Sequence, residues 1–577
     1  MGLAARLEVL VPDLSATLAR FPVPAAAALA LCAYGNIDGF GASSSSEIIS
    51  AASAAFIASG AAHLFAEGNN RKRQANVGLA LVAGAALAAI GYSVSIFQTS
   101  LLFLFAGLIP LLMIAAYLRR GIGQGALWLF NLRFGLAALL ATIVGLLFAA
   151  GLSSIVEALN FLFGTGLPSR LHEHIWGTAA TLIGPIYGLS LMPRDLNEEI
   201  DIAGQKGTLL ERGVSVLVNY IAVPVIIVYA LILHAYAVKI LFQGELPKGQ
   251  IATMVSIFAI GGTAAWLVAW PWRDTGTRLL RLFMRGWFFL TIVPAILLTI
   301  AIWRRIADYG VTPDRYGVAL VAIWVAFITI YLAFRRNRAD MRAILGGIAI
   351  LLLAGSAGPF GANGLTITSQ LQRFTDLLTA NGLLRDGKAV SPSVSLASEL
   401  ASEGYSILYA LREAGGIERL RPMFEGNEKN PYDANYDSWS QTNSVAVWFK
   451  FSQSNIYGET WYFNANTVLD HSLAGSNRLI GPFRNLQTYN LNSPHTDMTA
   501  RFDGSNVIIK AGANMWTVPG IEIFKKAKAG VAVVNHPQPP ILFEIAPGVT
   551  IIIDSLSAKV GDEPQLESMN FWIIQQR

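Results

Sequence analysis

The sequence predicts a polytopic α-helical membrane protein of about eleven transmembrane helices, followed by a C-terminal extracytoplasmic α+β domain that contains a mainly antiparallel sheet. Three observations carry this. Hydrophobic residues make up 54% of the 577 positions and charged ones only 14%, with a mean hydropathy of +0.49, too apolar for a soluble chain of this length. The long uncharged runs stop near Phe360, and the remainder of the chain has the composition of an ordinary water-soluble sequence. Lysine and arginine gather in alternate loops between the runs, as they do when basic residues are retained on the cytoplasmic side. The expected division is a cytoplasmic segment over 1–20, a multi-span helical domain over 21–362 and an extracytoplasmic α+β domain over 363–577.

In hydrocarbon every peptide group must be bonded within the chain, so each apolar run of about twenty residues is expected to be a helix. The runs fall near 21–35, 47–66, 76–96, 100–118, 134–160, 173–192, 214–242, 250–270, 286–303, 315–334 and 342–360. The first has the length of a signal peptide, and Leu29-Ala30-Leu31-Cys32 approaches a lipoprotein signal. Such a signal needs a small residue before the cysteine, which Leu31 is not, so the run is read as an uncleaved, short first span. Pro110, Pro185, Pro224 and Pro294 fall inside runs and predict kinks. Small residues at Ala54, Ala55, Ala58 and Gly60, and at Gly84, Ala85, Ala88 and Ala89, predict close helix packing.

Orientation is read from the loops. Arg71, Lys72 and Arg73, then Arg119, Arg120 and Arg133, then Arg273, Arg278, Arg281 and Arg285 lie in one set; the other set is poor in basic residues. The bias places the N-terminus inside the cell and, with an odd number of spans, the C-terminal domain outside it. The net charge of +5 and pI near 9.1 are thereby assigned to topology and not to nucleic acid. The single cysteine, Cys32, excludes an intrachain disulfide and a cysteine-based zinc site.

The segment Ile302-Trp303-Arg304-Arg305-Ile306-Ala307-Asp308-Tyr309-Gly310-Val311-Thr312-Pro313-Asp314-Arg315-Tyr316 lies between two runs. It resembles a signature of the bacterial membrane proteins of the domain of unknown function 4153 family. Ser369-Gln370-Leu371-Gln372-Arg373, Gly387, Pro185 and Pro193 extend the resemblance over most of the chain. It implies a bacterial inner-membrane location and an architecture, and supplies no catalytic residues. Physically the segment reads as a tight helical hairpin: Gly310 ends one helix, Thr312 caps the next and Pro313 suits its first turn. Arg304, Arg305, Asp308 and Arg315 would then stand at the outer headgroup level, where the arginines either bind anionic lipid or snorkel.

A charge near the bilayer centre costs roughly 2.5–3.5 kcal/mol on insertion scales, so ionisable residues within runs are candidate sites. His63, Glu157 and His234 qualify, each near the end of its run, and such sparsity argues against an ion-coupled transporter. His172, Glu173 and His174 cluster at the outer end of the sixth run as possible ligands, although positions two apart on a helix point away from each other. Asp38, in the first outer loop, occupies the place of the acidic residue in membrane glycosyltransferases that use lipid-linked sugars, which this layout resembles. Asp38-Gly39 is equally an ordinary turn dipeptide.

In the C-terminal domain, helices are expected over Leu365–Leu384 and Val394–Glu413. Strands are expected from Val445, Val447 and Phe449 onward: Trp461–Phe463, Leu479–Phe483, Ala500–Phe502, Val507–Ile509, Ile521–Phe524, Ile541–Ile545, Thr550–Ile553 and Asn570–Ile574. Asp503-Gly504 and Pro547-Gly548 are expected hairpin turns. Asp470-His471 and His495 with Asp497 pair carboxylate and imidazole without a serine motif. Asp433, Asn435 and Asp437 have the spacing of part of a calcium loop but lack its glycine and glutamate. Tyr432, Tyr436 and Trp439 form a possible aromatic platform. No metal and no cofactor is expected. The expected partners are the bilayer and, beyond it, an anionic lipid or an envelope glycan. The first functional expectation is an envelope protein whose external domain binds a partner, lipid or glycan. The alternatives are a membrane enzyme using a lipid-linked donor, with Asp38 as base, and a transporter.

Overall fold

The computed structural model describes residues 14–38, 46–118, 123–199, 209–243, 250–335, 338–392, 396, 398–426, 430–432, 438–451, 456–457, 460–464, 477–483, 491–492, 498–502, 506–511, 514–530, 540–559 and 565–576. They form two compact units, Met1–Gln370 and Leu371–Arg577.

The first unit is helical. Its elements are α1 (Leu14–Arg20), α2 (Pro22–Asp38), α3 (Ser46–Gly68), α4 (Arg73–Val94), α5 (Gln98–Ala115), α6 (Gln124–Phe163), α7 (Arg170–Thr178), α8 (Gly184–Ser190), α9 (Leu209–Leu217), α10 (Val223–Gln243), α11 (Gln250–Ala269), α12 (Arg278–Tyr309), α13 (Pro313–Arg335) and α14 (Met341–Ser356). Among the described residues, eight stretches are long and apolar enough to cross a membrane. The other three expected runs form helices of different kinds. Run 21–35 lies in α2, which meets α1 at a bend of 107°. Run 173–192 is helical but changes type, with a π-helical stretch, Ala179–Ile183, between α7 and α8. Run 342–360 gives only the 16-residue α14. Among the four interior prolines, Pro110 and Pro294 sit inside continuous helices, whereas Pro185 and Pro224 each come after a π-helical stretch.

Small residues set the packing. A Cβ on Gly91 would stand 2.9 Å from the Ser50 carbonyl oxygen and 3.1 Å from the Ala54 Cβ, and one on Gly84 3.5 Å from the Ser59 Cβ, so α3 and α4 approach backbone to backbone. Ala85 and Ala89, expected in the same stripe, face outward instead. Tryptophans fasten other helix pairs, donating from the indole to a carbonyl on a neighbouring segment: Trp128 to Val268, Trp266 to Met284 and Trp324 to Ile344, at 3.1–3.2 Å. Fully buried Trp287 packs between Phe258 and Phe283 and lies against Gly262.

The second unit begins within α15 (Ala362–Ala380) and continues through β1 (Leu384–Arg385), β2 (Lys388–Ala389), α16 (Ser398–Glu413) and α17 (Ser438–Trp448). Asp386 and Gly387 both take positive φ, 49° and 75°, which makes the two-residue turn joining β1 to β2. An aromatic cluster, Phe374, Phe424, Phe449 and Phe451, fills the helical part. Val445, Val447 and Phe449 do not form the expected strand. Gln441, Thr442, Val445, Ala446 and Phe449 are instead buried at helical spacing, and Val447 is exposed on the far side of α17.

The strands from β3 (Ile456–Tyr457) to β12 (Gln565–Gln576) form a six-stranded and a four-stranded antiparallel sheet among the described residues. In the larger, β11 (Val549–Lys559) pairs β12 (Gln565–Gln576) along one edge, and β10 (Ile541–Ala546) then β4 (Thr460–Asn464) along the other. Ile551, Ile553, Phe571 and Ile573 alternate inward and are fully buried. The Pro547-Gly548 turn joins β10 to β11, with Gly548 at φ 80°. In the smaller sheet β7 (Met498–Phe502) pairs β8 (Asn506–Ala511) across the expected Asp503-Gly504 position, which lies outside the described residues. Ile521–Phe524, expected as a strand, is the first turn of α18 (Gly520–Gly530), whose buried Ile523, Phe524 and Ala527 share a helical face.

Replacing Gly91 by valine should destabilise the first unit by about 1–3 kcal/mol through overpacking. Gly78→Ala on the same helix, with nothing within 4 Å of the added methyl, should not. Thermal unfolding of the two variants in one detergent checks this.

Candidate functional site

The segment Ile302–Tyr316 folds as the expected hairpin. Helix α12 runs to Tyr309, Gly310 takes φ 69° and Pro313 opens α13. The Thr312 hydroxyl accepts from the Arg315 amide at 3.5 Å, a long N-cap. The groups that hold the turn come from elsewhere in the sequence. The Ser369 hydroxyl accepts from the Val311 amide at 2.9 Å, and buried Gln370 donates its Nε2 to the carbonyls of Tyr309 (3.2 Å) and Val311 (2.7 Å). Arg315 donates to the carbonyls of Tyr309 and Gly310 at 2.9 and 3.0 Å and lies over the Tyr309 ring. Tyr316 donates to the Phe360 carbonyl at 2.9 Å. The two halves of the signature thus meet, and they meet to satisfy backbone. Arg304, Arg305 and Asp308 stand exposed on α12, with Trp303 and Tyr309 also exposed beside them.

The remaining sequence candidates of the helical unit are dispersed. Asp38 is the last residue of α2, and its side chain lies outside the described residues. Two residues earlier, Asn36 donates to the Thr178 hydroxyl at 3.0 Å, so the helix ending at Asp38 packs against α7, which carries His172, Glu173 and His174. His172 Nε2 pairs with Glu157 at 2.9 Å, Glu173 is exposed, and His174 Nδ1 is buried without a hydrogen-bond partner. Among the described residues no three His, Cys, Asp or Glu side chains come together as a metal site would require. His234 bonds the Ala230 carbonyl one turn back, and buried His63 packs edge-on against Phe21.

In the second unit, Tyr432 is buried, its hydroxyl donates to the Ile417 carbonyl at 2.7 Å, and burial pushes its phenol pKa up. It is core and not platform. Trp439 is half exposed and covers Arg412, which is also stacked on Tyr409. Tyr436, Asp433, Asn435, Asp437, Asp470, His471, His495 and Asp497 lie outside the described residues.

Sequence reasoning missed the cavities of the first unit. One of about 510 Å³ lies between α3, α5, α6 and the helical stretch of α7 and α8, and its lining is almost wholly apolar, including Phe21, Gly60, Ala138, Gly184 and Met192. Ile109, Leu146 and Trp176 at its rim are roughly half exposed, so it opens through the side of the bundle. A second apolar cavity of about 560 Å³ lies across the π-helical stretch, against α1 and α2. One end of the first is fastened by Arg20, which meets both oxygens of Glu67 at 2.9 Å and donates to the carbonyls of Met192 (3.0 Å) and Pro193 (2.7 Å). Pro185, Pro193 and the small residues of the sixth run were the available signal, because small side chains beside a π-helical stretch leave space.

The long apolar helices of the first unit, found among the described residues, are those of a multi-span membrane protein. The domain of unknown function (DUF4153) family model matches residues 24–376, more than half of the chain, and the chain belongs to that family. It is 31% identical over 220 residues to an uncharacterized protein of Pasteurella multocida (strain Pm70). That match covers 36% of this chain and 36% of the relative, so the chain spans about a third of the curated protein it matches. No solved structure matches.

Gln370→Leu, which leaves the Tyr309 and Val311 carbonyls without this donor, should cost about 1–3 kcal/mol. Hydrogen exchange should show faster opening around 309–316 in that variant, with α3 and α4 unchanged.

Proposed function

We propose that the protein is an envelope protein of the bacterial inner membrane that binds a lipid, with the side-opening cavity of its helical unit taking one acyl chain. The cavity carries this reading: about 510 Å³, walled by apolar side chains, and entered from the bundle's lipid-facing side. An apolar cavity of this kind excludes water and accepts an apolar occupant. The N-terminus is read as cytoplasmic and the C-terminal unit as periplasmic on the loop charge bias. This gives a division of labour in which the helical unit takes lipid and the outer unit meets an envelope partner.

A phospholipid carrying a diazirine in mid-chain should crosslink to peptides covering 134–146 and 176–189. Ala138 lines the cavity and is exposed, so Ala138→Trp fills the entrance without disturbing the core. It should lower labelling about tenfold, ~1.4 kcal/mol in affinity, while Leu81→Trp on the exposed face of α4 leaves it unchanged. Equal labelling of both variants would reject the cavity as the chain site.

A second reading is group transfer from a lipid-linked donor with Asp38 as base. It draws support from the packing of the Asp38 helix against the helix of His172 and His174. Loss of activity in Asp38→Asn at normal expression would favour it.

A further inference from the structure

The fastened end of the cavity joins three stretches of chain that are remote in sequence. Arg20 ties the α1–α2 corner to Glu67 of α3 and to the carbonyls of Met192 and Pro193, while Arg73 reaches back to the Ala19 carbonyl at 3.2 Å. Phe21, Leu64 and Met192, which line the cavity, are each within three residues of one of these groups. The same corner carries exposed cations. Arg71 lies over the Phe65 ring at 5.7 Å, Lys72 precedes α4, and Arg194 comes directly after Pro193. Of the acidic groups close to these cations in sequence, Glu67 has both oxygens on Arg20 and Glu198 pairs with Arg133, while Asp195 and Glu199 are exposed. An apolar slot therefore ends at a rim where basic side chains outnumber carboxylates.

We propose that the occupant is an anionic phospholipid, its acyl chain in the cavity and its phosphodiester headgroup at the rim of Arg71, Lys72 and Arg194. The inference rests on the chain-binding reading above and adds the headgroup. Arg20 is a positioning residue here: its donors hold Glu67 and two carbonyls, which leaves the phosphate to the three exposed cations. Exposed arginines stand also at Arg304 and Arg305, but they belong to α12, which contributes no residue to the cavity lining, whereas Arg71, Lys72 and Arg194 follow the lining segments that end at Leu64 and Met192.

The test uses the full chain in a neutral detergent, with diazirine phosphatidylglycerol and diazirine phosphatidylcholine of identical chains, and glycerol 1-phosphate as a chainless competitor. Phosphatidylglycerol should label the 134–146 and 176–189 peptides about tenfold more efficiently than phosphatidylcholine. In the triple variant R71Q/K72Q/R194Q the two lipids should label equally, at the phosphatidylcholine level, while R304Q/R305Q keeps the preference. A preference that is absent in the wild type, or that survives in the triple variant, overturns the headgroup assignment and leaves chain binding standing, since phosphatidylcholine still labels the cavity. Competition by glycerol 1-phosphate overturns it in favour of a free phosphate site. Labelling by neither lipid overturns both readings.

Discussion

A helix that stops among apolar neighbours leaves carbonyls and amides that must be bonded within the chain, and the polar residues of the helical unit are spent on this. Arg20 serves the carbonyls at Met192 and Pro193, and Gln370 those at Tyr309 and Val311. Gln124 donates to Ala339 and accepts from Met341, so that one side chain closes the turn before α14. Arg342 reaches the Tyr117 carbonyl, and buried Asn219, in the second π-helical stretch, accepts from the Thr277 amide at the start of α12. Each bond spans tens to hundreds of residues. Together they fix where helices end and how the ends meet.

This changes the meaning of polar residues in such a unit. A buried glutamine or arginine invites a functional reading, since charge in hydrocarbon is expensive. Here most of them meet backbone, and their cost is offset by the peptide groups they satisfy. The space they leave is apolar. The cavity lies beside the π-helical stretch between α7 and α8, and Arg20 fastens the chain where that helical segment ends.

Much of the helical architecture was legible because the rule behind it is local: an uncharged run of sufficient length has few alternatives to a helix. Close packing at Gly84 and the hairpin at Gly310 were legible for the same reason, each depending on neighbours a few residues away, whereas Ala85 and Ala89 of the same stripe face outward. The caps were not. Nothing near Arg20 announces Glu67 or Met192, and nothing near Tyr309 announces Gln370; only the fold brings them together. In the second unit, three alternating apolar residues at Val445, Val447 and Phe449 imitated a strand, whereas the full set from Gln441 to Phe449 has helical spacing and is buried that way. Ile521–Phe524 misled likewise, because a short apolar run carries no period until its flanks are included. The cavity itself has no sequence signature beyond prolines and small side chains.

The most direct measurement is a density map of the full chain in phospholipid nanodiscs. The account predicts a rod of lipid density entering past Ile109, Leu146 and Trp176, with Arg20 still seated on Glu67 and the Met192 and Pro193 carbonyls. A cavity closed by repacking of its apolar walls, or one filled with ordered water, would contradict it.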